Sequence, residues 1–151
     1  MSLKTSSVNN IVVIDSNFVL LPFQFKIDYL KEISSNLESN TRFVIFQQIL
    51  DELEAKKIRE HKATKFQRNL KSGLDYLEKS KDSYDIAFLE DIKDENETTD
   101  DFLLRSSINL KSENSRIFLA TNDALLRKKA REALIGTIFL RQKKYLSFER
   151  S

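Results

Sequence analysis

The chain has 151 residues, a mass of 17.7 kDa and a formal net charge of +2, and it contains no cysteine, one histidine and two glycines. This length suits one globular domain, and the composition excludes disulfide bonds, thiolate zinc sites, multi-histidine metal sites and the glycine-rich loops that cradle phosphates. The longest apolar run, 18–23, is too short to cross a bilayer and no signal peptide is visible, so we expect a cytoplasmic protein with no membrane partner.

The first half of the chain predicts two buried strands and three helices. The β-branched run 11–14 is typical of a buried parallel strand, and the run 43–46 is of the same kind. A helix is predicted over 25–37, between these strands. Two further helices are predicted over 47–60 and 63–77, the second of which has apolar residues at every third or fourth position.

The second half of the chain continues the alternation of strand and helix. Strands are predicted over 86–89, 116–120 and 137–140, and helices over 98–109 and 124–134. Gly136 is expected to end the last helix. Strands that alternate with helices indicate an α/β domain with a mainly parallel, five-stranded sheet flanked by helices. We expect this domain to cover 10–148, after a polar and flexible N-terminal segment, 1–9.

Basic and acidic side chains are segregated along the chain. Residues 56–71 contain seven bases and one acid, 82–101 contain nine acids and one lysine, and 127–144 contain seven bases and one acid. Two basic blocks around an acidic block are typical of a protein that grips a polyanion and holds cations nearby. Solvated helix faces are the alternative interpretation.

Acidic residues follow the predicted strands where each of them ends. Asp15 comes directly after the first strand, and Asp123 comes shortly after the fourth. Glu52 lies one helical turn after the second strand, and Asp100 and Asp101 begin the helix that follows the third. Because ligands bind beyond the carboxyl ends of the strands in an open parallel sheet, we expect these acids to converge at one edge.

Such a cluster favours a metal site. Clustered carboxylates repel one another, so packing does not explain them, whereas Mg²⁺ and Mn²⁺ prefer carboxylate and water oxygens. Each acid also has an alternative role when taken singly. Asp15 and Asp123 are candidates for helix caps, and Asp51 and Glu54 compete with Glu52 for the second position.

The same segments resemble the PIN domain family of metal-dependent ribonucleases. Four motifs of that family are similar, in the right order and spacing, to residues 13–18, 50–54, 99–104 and 120–123. The resemblance covers 10–148 and is closest to the branch that contains the small-subunit processome PIN nuclease and its short archaeal relatives. It implies a three-layer PIN-like α/β fold.

The resemblance also implies an activity and a set of residues. The activity is endoribonucleolytic hydrolysis of RNA phosphodiester bonds with one or two Mg²⁺ or Mn²⁺ ions. The implied catalytic and metal-binding residues are Asp15, Glu52, Asp101 and Asp123, with Asp101 favoured over Asp100. Residues expected to hold these carboxylates by hydrogen bonds are Ser16, Asn17, Asp100, Thr121 and Asn122. Residues expected to contact the RNA backbone are Lys56, Lys57, Arg59, Lys128, Lys129 and Arg131.

Several biological roles remain open at this point. The RNA is expected to be single-stranded or ribosomal, which suggests ribosomal RNA processing, and a homodimer is one option because family members often dimerise. A toxin ribonuclease of a toxin–antitoxin pair would use the same chemistry. A catalytically silent RNA-binding protein is disfavoured by the complete set of four acids. A phospho-receiver domain would need an acid pair where Asp15 is instead followed by Ser16 and Asn17.

Overall fold

The fold is organised around a six-stranded sheet in a computed structural model that describes residues 8–150. The strands are β1 Asn10–Ile14, β2 Thr41–Phe46, β3 Asp85–Leu89, β4 Arg116–Ala120, β5 Gly136–Arg141 and β6 Tyr145–Glu149. Their order across the sheet is β3-β2-β1-β4-β5-β6. Every neighbouring pair is parallel except β5 and β6, which are antiparallel.

Seven helices within the described residues flank this sheet. They are α1 Ser16–Val19, α2 Leu21–Gln24, α3 Tyr29–Leu37, α4 Gln47–Arg59, α5 Thr64–Ser80, α6 Thr99–Leu110 and α7 Ala124–Glu132. The predicted α/β class and the mainly parallel sheet flanked by helices are confirmed. The sheet has six strands rather than five, because residues 145–149 form an additional antiparallel edge strand on β5.

The helix predicted over 25–37 is shorter than expected. It begins at Tyr29 and is capped by Asp28, whose Oδ1 accepts a hydrogen bond from Lys31 N at 3.4 Å. Lys26, three residues before Tyr29, has a φ of 56°, a left-handed conformation that ends any helix running from 25. Two four-residue helices, α1 and α2, occupy the stretch between β1 and this interruption.

Gly136 has a different role from the one expected of it. The residue in the left-handed conformation after α7 is Leu134, with a φ of 60°, and Gly136 begins β5. A Cβ at position 136 would lie 2.6 Å from Cδ2 of Phe118, its register partner on β4. Glycine is therefore required by the close approach of the Phe118 ring and not by backbone conformation.

The start of the described chain is anchored to the sheet. Val8 is buried, Asn9 N donates to Asn40 O at 3.0 Å, and Arg116 N donates to Asn9 O at 2.8 Å. The rest of the segment expected to be flexible, 1–7, lies outside the described residues. Within 8–150, no helix combines the length and the apolar character that a membrane span requires.

The topology brings distant parts of the chain to one edge. β1 lies between β2 and β4, and Ile14 is paired with Ala120 in parallel register. The residues that follow these strands, Asp15 and Thr121, are therefore neighbours although they are 106 positions apart. β1, β2 and β4 point the same way, so the acids after them share the edge that the sequence predicted.

Candidate active site

Asp15 is buried at the carboxyl end of β1. Only 6% of it is exposed, and it caps α1 because its Oδ1 accepts a hydrogen bond from Ser16 N at 2.7 Å. Its Oδ2 accepts one from Thr121 Oγ1 at 2.7 Å. Burial raises the pKa of Asp15; these two hydrogen bonds oppose that effect, and the charges of Asp100 and Asp123 add to it. The hydrogen bonds thus fix the Asp15 carboxylate in position, while burial disfavours its charged form.

Thr121 connects Asp15 to the loop after β4. The residue is fully buried, and its hydroxyl donates to Asp15 while it accepts from Asp123 N at 3.0 Å and from Asn17 Nδ2 at 3.4 Å. One donor and two acceptor positions are all that a hydroxyl offers, so this one is saturated. Asn122 completes the connection, because its backbone N donates to Asn17 Oδ1 at 3.1 Å. Ser16, Asn17 and Thr121 thus donate to Asp15 directly, whereas Asn122 acts through Asn17.

Asp123 is both a helix cap and an acid of the site. Its Oδ1 accepts from Leu125 N at 2.9 Å and from Leu126 N at 3.1 Å at the start of α7. Its other carboxylate oxygen, Oδ2, has no hydrogen-bond partner among residues 8–150. The capping alternative and the site role are therefore compatible, because each uses a different oxygen.

Glu52 joins α4 to the start of α6. Its Oε2 accepts from Gln48 Nε2 at 2.9 Å and forms a short hydrogen bond with the hydroxyl of Thr99. The two competing acids of α4 lie elsewhere: Asp51 is exposed and accepts from Gln47, and both Asp51 and Glu54 line a groove between α4 and α5. The geometry thus favours Glu52, as the resemblance implied.

Asp100 is the less exposed of the two acids that begin α6. Burial raises the pKa of Asp100, and the charge of Asp123 raises it further, while Lys129 lowers it. Asp101 points outward, with 55% of its side chain exposed and an ion pair to Lys129 at 3.4 Å. The charges of Asp123 and Glu52 act on Asp100, and that of Asp100 acts on Asp15, which favours Asp100 as the acid of the site; the implied preference for Asp101 stays a prediction.

The four carboxylates suit a hard divalent cation by their chemistry. Asp15, Glu52, Asp100 and Asp123 offer only oxygen donors. Burial, and to a lesser extent repulsion from neighbouring carboxylates, raises the pKa of Asp15 and Asp100, and a bound cation would relieve that repulsion. In the described part of the chain, however, no three acidic or histidine side chains are already gathered closely enough to hold an ion among themselves. An ion at this edge would therefore also need water ligands, which Mg²⁺ commonly retains.

The basic residues predicted to contact RNA divide into two groups. Three of them lie close to acids of the site: Lys56 and Arg59 line a cavity beside Glu52, and Lys129 pairs with Asp101. The others are Lys57, which faces the groove between α4 and α5, Lys128, which is exposed, and Arg131, which pairs with Glu149 at 3.3 Å. Positive charge therefore lines the carboxylate edge on at least two sides.

Sequence reasoning missed three residues at this edge. Gln48 lies four positions before Glu52 on α4, a spacing at which side chains meet on a helix, so this donor was detectable in principle. Thr99 follows the cap of α6, and nothing in its local sequence indicates that it reaches a different helix. Phe66, on an apolar helix face, has the pattern of a core residue and is only half-buried, beside Lys56.

Comparison with known proteins identifies relatives that span almost the whole chain. Residues 12–143 match the family described as PIN like domain. The chain is 32% identical over 136 residues to Ribonuclease VapC4 of Methanocaldococcus jannaschii, a match that covers 89% of this chain and 92% of that protein.

Two solved structures are similar in fold. The PIN domain endonuclease Utp24 has a TM-score of 0.65 and 22% identity, over 93% of this chain and 92% of that one. A domain of a functionally unknown protein from Methanocaldococcus jannaschii DSM 2661 has a TM-score of 0.58 and 15% identity, over 87% of this chain and 91% of that one. At these identities the likeness concerns the fold alone.

Proposed function

The chain belongs to the PIN-like domain family, and from that premise we propose that it is a metal-dependent endoribonuclease that hydrolyses RNA phosphodiester bonds. The observation that carries the proposal is the placement of Asp15, Glu52, Asp100 and Asp123 after parallel strands of one sheet, where charges of these acids act on Asp15 and Asp100. The sequence similarity to a protein named as a ribonuclease supports RNA as the substrate.

The proposed metal ligands are Asp15, Asp100 and Asp123, with Glu52 beside them. Bound Mg²⁺ or Mn²⁺ would supply neutralisation of the phosphate charge and a lowered pKa of water. The protein holds the donors ready, since Ser16 and Thr121 fix Asp15.

Other side chains orient Glu52 and attract the substrate. Gln48 and Thr99 both donate to Oε2 of Glu52, so this carboxylate cannot rotate freely. Lys56, Arg59 and Lys129 would attract the RNA phosphates. Their positive charge opposes the repulsion between these phosphates and the carboxylates of the edge. Such contacts position a strand without reading its sequence.

The test is cleavage of a single-stranded RNA in the presence of Mn²⁺ by the wild type and by single variants. Asp15→Asn and Asp100→Asn should each remove most of the activity, whereas Asp101→Asn should retain most of it. Asp51→Asn is the matched control, because Asp51 is an exposed acid adjacent to Glu52 whose side chain accepts a hydrogen bond from Gln47. Equal cleavage by all of these proteins would point to a contaminating nuclease and reject the proposal, while loss in Asp101→Asn alone would return the ligand role to Asp101.

The cellular role divides into two candidates. Ribosomal RNA processing is one, but the likeness to Utp24 at 22% identity bears on fold and adds nothing for that substrate. A toxin ribonuclease of a toxin–antitoxin pair is the second, and it is favoured by the match to Ribonuclease VapC4, which covers 92% of an equally short protein. Growth arrest on expression, relieved by a small protein encoded next to this one, would support the toxin role; unimpaired growth would favour processing.

A further inference from the structure

A small cavity opens next to the carboxylates, between α1, α4 and α5. Its volume is about 240 Å³, and we refer to it as the side cavity. Its lining includes three site residues, Ser16, Asn17 and Glu52, and two leucines, Leu20 and Leu53. It also includes two cations and an aromatic ring, namely Lys56, Arg59 and Phe66, which form its cationic and aromatic side. The side cavity is therefore continuous with the site and differs from it in charge.

The cationic and aromatic side is held in place by contacts between α4 and α5. Lys56 Nζ lies 4.6 Å from the centre of the Phe66 ring, a cation–π arrangement. Gln67 Nε2 donates to Lys57 O at 3.0 Å and to Glu60 O at 3.1 Å, two carbonyls at the end of α4, the second of which also accepts from Ala63 N at 2.9 Å. These bonds fix the start of α5, and hence Phe66, relative to Lys56.

We infer that the side cavity is a subsite for one unpaired nucleotide of the RNA, next to the phosphate that is cleaved. The inference rests on the proposed function. The base or ribose would lie against the Phe66 ring, and the adjoining phosphate would lie between Lys56 and Arg59. The observed combination fits this ligand: aromatic faces bind bases without sequence preference, and nearby cations follow the backbone.

The subsite also predicts a preference for unpaired over double-stranded RNA. In an A-form duplex the bases are stacked and paired, so a single base cannot enter a cavity of this size without being unpaired first. Single strands and loops present such bases at no cost. The side cavity therefore selects for unpaired RNA at the cleavage point, through a contact outside the metal site.

The experiment measures RNA binding by fluorescence anisotropy in EDTA, so that no cleavage occurs. The probes are a labelled single strand of about 12 nucleotides, within the range of known single-strand sites, and its duplex. The test variant is Phe66→Leu, which keeps an apolar side chain but removes the aromatic face, and Phe66→Tyr restores that face. The matched control is Phe88→Leu. Phe88, on β3 and outside the side cavity, is an exposed ring that also has a lysine beside it, with Lys81 Nζ at 5.3 Å from the ring centre.

We expect Phe66→Leu to weaken single-strand binding by at least about fivefold and at most about 150-fold, the value of one base stacked on an aromatic ring. Phe66→Tyr and Phe88→Leu should stay within about twofold of the wild type. Duplex binding should not change. The dependence of log affinity on log salt should stay the same in Phe66→Leu and fall by about 0.7 in Lys56→Met, which loses a phosphate contact. Melting curves verify that each variant is folded.

The outcomes separate the subsite from the proposed function. A wild type that neither binds the single strand nor cleaves it with Mn²⁺ refutes the proposed function and the subsite with it. A wild type that cleaves, together with a folded Phe66→Leu that binds the single strand equally well, refutes the subsite alone. Equal weakening toward single strand and duplex, or failure of Phe66→Tyr to restore binding, also overturns the subsite.

Discussion

Gly73 on α5 supports the segment that carries Asp15, and replacing it tests how packing controls the site. A Cβ at position 73 would lie 1.9 Å from the backbone oxygen of Val19 and 2.9 Å from its carbonyl carbon. Val19 ends α1, and α1 starts with Ser16, immediately after Asp15. The substitution Gly73→Ala must therefore push α1 away from α5.

The size of the effect follows from these distances. Ordinary contact begins at 3.4 Å, so the new methyl group and the Val19 oxygen must separate by about 1.5 Å. Overpacking costs about 1–3 kcal/mol, and the upper end applies because backbone must move. Alanine regains about 1 kcal/mol over glycine inside a helix. The net loss of about 2 kcal/mol lowers the melting temperature by about 4–8 °C in a domain of this size.

The cleavage rate of Gly73→Ala should fall by more than its loss of folding stability explains. The displacement is transmitted to Ser16 and Asn17, which hold Asp15, and a misplacement of about 1 Å can cost about 100-fold in rate. The assays are thermal melting by circular dichroism and single-turnover RNA cleavage at a temperature where both proteins are folded. Gly136→Ala is the control, since its Cβ would press on the Phe118 ring at the start of β5. It should lose stability and keep its cleavage rate. A Gly73→Ala protein that melts at or above the wild-type temperature, as helix propensity alone would give, refutes the reasoning.

Three further predictions concern the carboxylates. Asp100→Asn should stabilise the metal-free protein, because burial and the charge of Asp123 raise the pKa of Asp100. Mn²⁺ at ten times its Kd should raise the melting temperature of the wild type by about 3–6 °C, and Asp100→Asn should lose this rise. Equal rises in both proteins would show that Asp100 does not bind the metal. Thr99→Val should lower kcat by about 10- to 100-fold with little change in RNA affinity, because Glu52 loses a donor. Thr137→Val, which removes one of the hydrogen bonds to Glu149 on β6, should leave cleavage unchanged. Burial raises the pKa of Asp15 above its ordinary 3.8, so the folded state binds this proton more tightly than the unfolded state. In EDTA the wild type should therefore gain stability relative to Asp15→Asn as the pH falls from neutral toward 3.8, and a difference independent of pH in denaturant titrations would contradict this.

The strand positions were predictable because buried parallel strands are continuous apolar runs. Runs such as Val12–Ile14 and Phe43–Phe46 are nearly free of exposed residues, and no amphipathic helix has that pattern. β6 was not predicted, since its turn carries no glycine or asparagine. Gln142 and Lys143 adopt positive φ values of 54° and 56° instead, and the β5–β6 ladder rather than the local sequence holds them there.

The sequence could predict which strand ends carry the acids of the site, but not which of two adjacent acids faces inward. A strand end fixes where Asp15 lies, so sheet topology alone places it. Asp100 and Asp101 are neighbours on one helix, about 100° apart around its axis, and only the rotation of α6 against the sheet decides which of them faces inward. That rotation depends on packing, for example of Phe102 against Phe46 at a centroid distance of 5.3 Å, which a motif does not encode.

The central place of β1 in the sheet has a consequence for synthesis on the ribosome. β1 is made first, but its partner β4 and the Thr121 that fixes Asp15 are made 106 residues later. At about 5–20 residues per second, the nascent chain spends about 5–20 s without the hydrogen bond from Thr121 to Asp15. Truncated products that end before β4 cannot assemble the carboxylate edge at all. The carboxylate edge on which the proposed nuclease activity depends is therefore complete only after β4 has been synthesised.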